Sequence, residues 1–326
     1  MALACRLIRA SHLTYAISDD GKQLVDSPAT GADLTVTCYD KNRLTISQPT
    51  GRDDIDAFLF GRTTQNEYIL AFRGTLPPSL QANEQFFRIL QDWLADGEIA
   101  LSTGSELAGQ VHRGFLESLD HLWPDLEQSL SPAVQADLHG GTPLYVTGHS
   151  KGAAVAQLAA YRLARKGVQP AAVYTFAGPR PGNAAFAAAF DATFPAALRF
   201  EYRDDVVPHV PPSTASWVSI LQGLRAINLK FPLETPHLAT DSQLSHAFED
   251  LLARLESDLP TYASCGQLQF IDWQDKIQAD SRELTITRNW NLAKAVAEFK
   301  LSEIIADHSS DGGYSRVPCT APNPGP

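Results

Sequence analysis

The chain has 326 residues, 44% hydrophobic and 19% charged, with Lys+Arg 26 against Asp+Glu 37 and a net charge of −11. Apolar content of this order excludes a disordered chain, and the acidic balance argues against nucleic acid, whose binding needs a basic face to release counterions. Cys5, Cys38, Cys265 and Cys319 lie far apart, with no C-x-x-C pair and no histidine at zinc spacing, so no metal site is expected.

At the N-terminus, Arg6 and Arg9 interrupt the apolar stretch of about 7–15 residues that a secretory leader requires. No run approaches the ~18 apolar residues of a spanning helix. These features predict a cytoplasmic protein without a transmembrane segment, its cysteines held as thiols. Apolar runs rich in β-branched and aromatic residues predict strands at 34–38, 57–61, 68–72, 144–147, 172–176, 198–202 and 267–271. Helical patterns fall between them at 115–123 and 151–166, and a long helix is expected over 292–306. Strand–helix alternation implies an α/β fold with a largely parallel sheet covered on both faces. Two segments read as insertions. Residues 76–95 carry Phe86, Phe87, Leu90, Trp93 and Leu94 at helical spacing, and residues 213–259 hold two amphipathic patterns. The Gly-, Pro- and Ser-rich end, 315–326, reads as a flexible tail after one domain spanning 1–314.

The sharpest local signal is Gly148-His149-Ser150-Lys151-Gly152, which follows a predicted strand and opens a helix rich in small residues. A G-x-S-x-G turn between strand and helix presents a strained, accessible serine, and the glycines let the two elements approach. Ser150 is therefore the candidate nucleophile. A serine hydroxyl needs a base, and an imidazole base needs an acid to fix its tautomer. In chain order the acid and then the histidine follow such an elbow. His209, His237, His246 and His308 follow it at useful distance, and His308, beside a glycine-rich loop after the last helix, fits best. The strand at 198–202 runs into Asp204 and Asp205, and residue chemistry does not choose between them.

Six blocks then resemble the class 3 lipase family, the fungal-lipase-like α/β-hydrolases. They are Ala71-Phe72-Arg73-Gly74-Thr75, Val111-His112-Arg113-Gly114-Phe115, Val146-Thr147-Gly148-His149-Ser150-Lys151-Gly152, the run from Thr175 to Asn183, the run from Asp205 to Pro212, and Asp307-His308-Ser309 with Tyr314. The resemblance implies an α/β-hydrolase fold with helical lid and cap insertions, Ser150 as nucleophile, His308 as base and Asp205 as acid. It also implies an oxyanion hole from Thr75 and the backbone N–H of Lys151. Two departures stand out. The residue after the serine is usually apolar in this family but is Lys151 here, and a cation beside the acyl site must reach solvent or a carboxylate. The chain also adds residues before Trp93 and most of 213–259.

The implied activity is hydrolysis of carboxylic esters of acylglycerols or related lipids, with no metal or organic cofactor. Phospholipase, acyltransferase or short-chain carboxylesterase chemistry on the same site are alternatives, as is a non-catalytic lipid-binding or scaffold relative. Phe86, Phe87 and Trp93 are candidate lid residues that would meet substrate at a transient lipid–water interface.

Overall fold

Alternating apolar residues face both sides of the strands at 58–62, 68–72, 144–149, 172–176, 198–202 and 267–271, which dictates a sheet buried on two faces. The protein is described by a computed structural model over residues 3–18, 23–24, 45–46, 56–75, 101–104, 106–211, 262–297, 306–310 and 312–320. The strands are β1 (Thr45–Ile46), β2 (Phe58–Arg62), β3 (Tyr68–Phe72), β4 (Leu101–Ser102), β5 (Val111–His112), β6 (Leu144–His149), β7 (Ala172–Phe176), β8 (Gly182–Asn183), β9 (Leu198–Tyr202), β10 (Tyr262–Ala263), β11 (Gln267–Ile271) and β12 (Ile277–Ala279). The helices are α1 (Leu3–Leu13), α2 (Arg113–Ser129), α3 (Pro132–His139), α4 (Lys151–Arg165), α5 (Ala184–Thr193), α6 (Arg282–Ala297) and α7 (Gly313–Thr320).

Among the described residues the main sheet has the order β1-β2-β3-β6-β7-β9-β11-β12. Strands β3, β6, β7, β9 and β11 run parallel, while β1, β2 and β12 add antiparallel edges. A second small sheet has the order β10-β8-β5-β4. On one face Phe58, Phe60, Leu70, Phe72 and Val146 pack under α2, α4 and α5. On the other, Leu59, Ile69, Ala71, Phe176, Phe200 and Ile271 pack under Leu7 and Ile8 of α1 and Tyr314 and Val317 of α7. Each such buried aliphatic or aromatic side chain contributes about 1.5–3 kcal/mol. This is the α/β-hydrolase fold.

Several expectations need correction. The end of the chain was read as a flexible tail over 315–326. Instead Gly313–Thr320 is helical with Val317 buried, and at the other end α1 packs on β6 and β3. A disulfide joins Cys5 of α1 to Cys319 of α7 across 314 residues, where thiols were expected; Cys265 is a buried free thiol. The two cysteines meet because both end helices are amphipathic and share one face of the sheet, a pairing invisible to local spacing. The helix expected over 292–306 begins ten positions earlier, at Arg282, where Ser281 caps it by accepting the Leu284 N–H at 3.1 Å. Threonine and asparagine in 285–291 mask the helical pattern. The strand expected at 34–38, the segment 76–95 and the segment 213–259 lie outside the described residues.

Candidate active site

The parallel strands deliver their C-terminal ends to one edge, and the site is built there. β6 ends in Ser150, whose backbone sits at φ 57, ψ −136, a region that costs a non-glycine residue about 1–3 kcal/mol. Packing enforces it. A Cβ on Gly148 would lie 2.1 Å from the Gly152 carbonyl, and one on Gly152 would lie 2.3 Å from that of Phe72. The two glycines of the elbow are thus required by the close passage of β6, α4 and β3. The Ser150 N–H donates to the Phe176 carbonyl at 3.0 Å, tying the turn to β7.

His308 lies in a helical turn over residues 306–308 rather than in the glycine-rich loop itself. Its Nε2 is 2.9 Å from Ser150 Oγ, and its Nδ1 is 3.1 Å and 3.0 Å from the two carboxylate oxygens of Asp205. Of the two aspartates left open by residue chemistry, Asp205 is the buried one against the imidazole, while Asp204 is half-buried and accepts the Trp273 indole N–H at 3.1 Å. Asp205 also accepts the Val207 N–H at 2.9 Å and the Tyr314 hydroxyl at 2.8 Å. Burial and the Asp205 charge hold the Tyr314 phenol well above its ordinary pKa, so it stays a donor. With the carboxylate accepting the Nδ1 proton, Nε2 is left to accept from the serine hydroxyl.

The histidine is held from behind by residues that sequence reasoning missed. His149 is buried, with its Nδ1 2.9 Å from the Tyr15 hydroxyl and its Nε2 2.9 Å from the His308 carbonyl. Burial, reinforced by His308, pushes the His149 pKa well below the ordinary imidazole range, so the ring is neutral. Burial also raises the Tyr15 phenol, which therefore donates to Nδ1 and leaves Nε2–H to donate to the His308 carbonyl. The signal was present as a histidine inside the elbow.

The chain after Asp205 is clamped by buried Arg180, whose Nη1 donates to the carbonyls of His209 at 2.6 Å and Pro211 at 2.9 Å. Burial lowers the Arg180 pKa to about 10 and that of His209 to about 3. His209, an alternative base on chain order, is thus a buried neutral ring, and the imidazole that meets Ser150 Oγ is that of His308; His237 and His246 lie outside the described residues.

Thr75 follows Gly74, which abuts Ser150: a Cβ on Gly74 would lie 3.0 Å from the Ser150 Cβ and 2.7 Å from the His149 carbonyl. Lys151, the other candidate donor, opens α4, and its ammonium finds a carboxylate, Asp56 Oδ1 at 2.8 Å. Phe86, Phe87 and Trp93 lie outside the described residues.

Residues 69–215 match the family model for class 3 lipases. The chain is 31% identical over 193 residues to the secreted mono- and diacylglycerol lipase A of Penicillium cyclopium, covering 59% of this chain and 55% of that protein. It is 30% identical over 162 residues to the secreted mono- and diacylglycerol lipase 1 of Fusarium solani, covering 48% of this chain and 43% of that one. The match thus spans about half the length of these curated relatives. The crystal structure of a mutant form of MDLA from Penicillium cyclopium superposes with a TM-score of 0.57 at 22% identity, covering 88% of each chain, a likeness of fold. The six motif blocks and the match over residues 69–215 make this part of the chain similar to the class 3 lipases.

Proposed function

We propose that the protein is a serine ester hydrolase of the lipase type, acting on carboxylic esters of acylglycerols or related lipids. The observation that carries this reading is the unbroken path from Ser150 Oγ to His308 Nε2 at 2.9 Å and from His308 Nδ1 to Asp205 at 3.0 Å. Ser150 Oγ attacks the ester carbonyl while His308 Nε2 takes its proton. The imidazolium returns that proton to the departing alcohol, which leaves an acyl-serine. Water, deprotonated by His308, then attacks the acyl carbon, and the proton returns to Ser150 as the acid departs. Asp205 holds the ring and stabilises its charge. Thr75 and the Lys151 N–H are the donors for the tetrahedral oxygen, a role worth about 2.7–4 kcal/mol per donor.

The same reading assigns residues 1–314, completed by α7 to Thr320, to one catalytic domain, makes 76–95 a lid with Phe86, Phe87 and Trp93 at a lipid–water interface, and makes 213–259 a helical cap. It gives nucleic acid no part. No helix among the described residues is long and apolar enough to cross a membrane. The compartment is proposed to be oxidising, in place of the cytoplasm expected from sequence. A disulfide between the end helices persists where glutathione does not reduce it, and two relatives carry the word secreted in their names.

The test is hydrolysis of a p-nitrophenyl ester series, short to long acyl, by the unaltered chain and Ser150→Ala, with and without a lipid interface. Serine-dependent turnover that rises with acyl length and with interface is expected. Turnover confined to short soluble esters would leave an esterase without a working lid. Equal rates for the two chains on every ester would overturn the hydrolase reading.

A further inference from the structure

We propose that the ion pair between Lys151 and Asp56 is a strap that holds the two halves of the oxyanion hole in register, with Asp56 as a positioning residue. The proposal rests on the ester-hydrolase reading above. It starts from a residue that departs from the family pattern: where an apolar side chain usually follows the nucleophile, this chain has a lysine.

The two backbone donors come from different segments. Lys151 is the first residue of α4, and Thr75 lies three residues beyond the end of β3. Among the described residues no backbone hydrogen bond joins Thr75 to Lys151. The β2–β3 register pairs Phe58 with Phe72 and Leu59 with Ala71. Carried outward by two residues, that register sets Ala57 opposite Arg73 and Asp56 opposite Gly74. The hydrogen bond from the Arg73 N–H to the Ala57 carbonyl, at 2.9 Å, follows this extension. Asp56 therefore stands beside the segment that presents Thr75.

From the other side, Lys151 Nζ reaches Asp56 Oδ1 at 2.8 Å, with the two side chains only 16% and 12% exposed. The pair closes a ring: Lys151 backbone, its side chain, Asp56, the Ala57–Arg73 hydrogen bond, Gly74, and back across the contact of Gly74 with Ser150. A charge-assisted hydrogen bond shielded from water resists sliding of one segment past the other. An oxyanion hole needs this, because its donors work only while they stay about 2.7–3.1 Å from the oxygen that gains charge. Among the described residues, the other titratable groups around the pair are His121, whose Nδ1 is 4.0 Å from Asp56 Oδ2, and His112, which is neutral and feels the Lys151 charge.

A strap of this kind acts on the transition state and leaves ground-state ester binding alone. The experiment measures kcat, KM and inhibition by an alkyl boronic acid, whose serine adduct places a tetrahedral oxygen in the hole. The chains are the unaltered protein, Lys151→Leu, Asp56→Asn, the double variant and Lys151→Arg. Each single neutral variant is expected to lose about tenfold or more in kcat and to weaken the boronic acid in parallel, with KM for a short ester little changed. The double variant, which leaves no buried unpaired charge, is expected to lose no more than either single variant, as residues acting as one unit do. Lys151→Arg is expected to recover part of the loss.

Folded single variants that keep the kcat and boronic acid affinity of the unaltered chain would overturn the strap while Ser150-dependent turnover still stands. Losses that add in the double variant would also overturn it, since the two groups would then act separately. If either single variant fails to fold, the double variant and Lys151→Arg carry the comparison. Absence of Ser150-dependent turnover in the unaltered chain would overturn the hydrolase reading and the strap together.

Discussion

The Tyr314 hydroxyl donates to Asp205 Oδ2 at 2.8 Å and accepts the Tyr202 N–H at 2.9 Å, so one phenol on α7 connects the carboxylate that faces His308 to the end of β9. It fits only because Gly313 has no side chain: a Cβ there would lie 2.0 Å from the Tyr202 ring. Replacing Tyr314 with Phe removes a hydrogen bond to a charge and leaves the Tyr202 amide without its acceptor. A fall in kcat of about tenfold is expected, with a loss of about 1–3 kcal/mol in stability. Steady-state kinetics and urea unfolding on the same variant check both numbers.

The elbow glycines carry a packing prediction. Gly152→Ala drives a methyl group to 2.3 Å from the Phe72 carbonyl, which is backbone and cannot swing away. Destabilisation of about 1–3 kcal/mol or more is expected, together with loss of serine labelling by a fluorophosphonate, because β3 and α4 must part. A variant that labels at the unaltered rate and keeps its unfolding midpoint would contradict this account of the G-x-S-x-G spacing.

Removing the disulfide with Cys5→Ser and Cys319→Ser is expected to cost about 2–4 kcal/mol. The loss should appear in kcat as well as in stability, since α7 carries both Cys319 and Tyr314. Activity followed against dithiothreitol concentration in the unaltered chain gives an independent reading. A double serine variant with unchanged midpoint and unchanged kcat would separate the bond from the site.

Stability should fall on acidification through the histidine range. Burial holds His112 and His209 at about 3 and His149 well below its ordinary value of 6.5. These folded pKa values are depressed, so the unfolded chain takes up protons first. The stability is present above about pH 6.5 and is lost as pH falls, by about 2 kcal/mol each for His112 and His209 between pH 6.5 and 5, with His149 acting in the same direction. Asp307 works in the opposite sense. Burial raises its pKa to about 7, so between about pH 4 and 7 the folded chain holds the extra proton and stability falls as pH rises. Because Asp307 is part-exposed, solvent screening limits its share to about 1 kcal/mol, and Asp307→Asn should stabilise the protein at pH 8 by no more than that. Urea unfolding at pH 5, 6.5 and 8 resolves the two opposing slopes.

The central strands were legible because a strand buried on both faces is a continuous apolar run, and the Ser150 turn because its glycines, strand and helix are adjacent in sequence. Chain order singled out His308 but left Asp204 and Asp205 open, since both end the same strand and only burial distinguishes them. What escaped is non-local. Tyr15 meets His149 across 134 residues, Lys151 meets Asp56 across 95, and Cys5 meets Cys319 across 314. Spacing rules read neighbours along the chain, whereas these pairs are brought together by the order of strands in the sheet. The start of α6 was hidden for a local reason, its run of weak helix formers held in place by Arg288 on buried Glu201.

The bond between Cys5 and Cys319 makes the chain between them a covalent loop that includes Ser150, Asp205, His308 and Tyr314. A protease that cuts once anywhere in that loop opens it without dividing it, and both pieces stay tethered until a reductant arrives. A nicked molecule of this protein therefore runs at full size on a non-reducing gel and as two fragments on a reducing one.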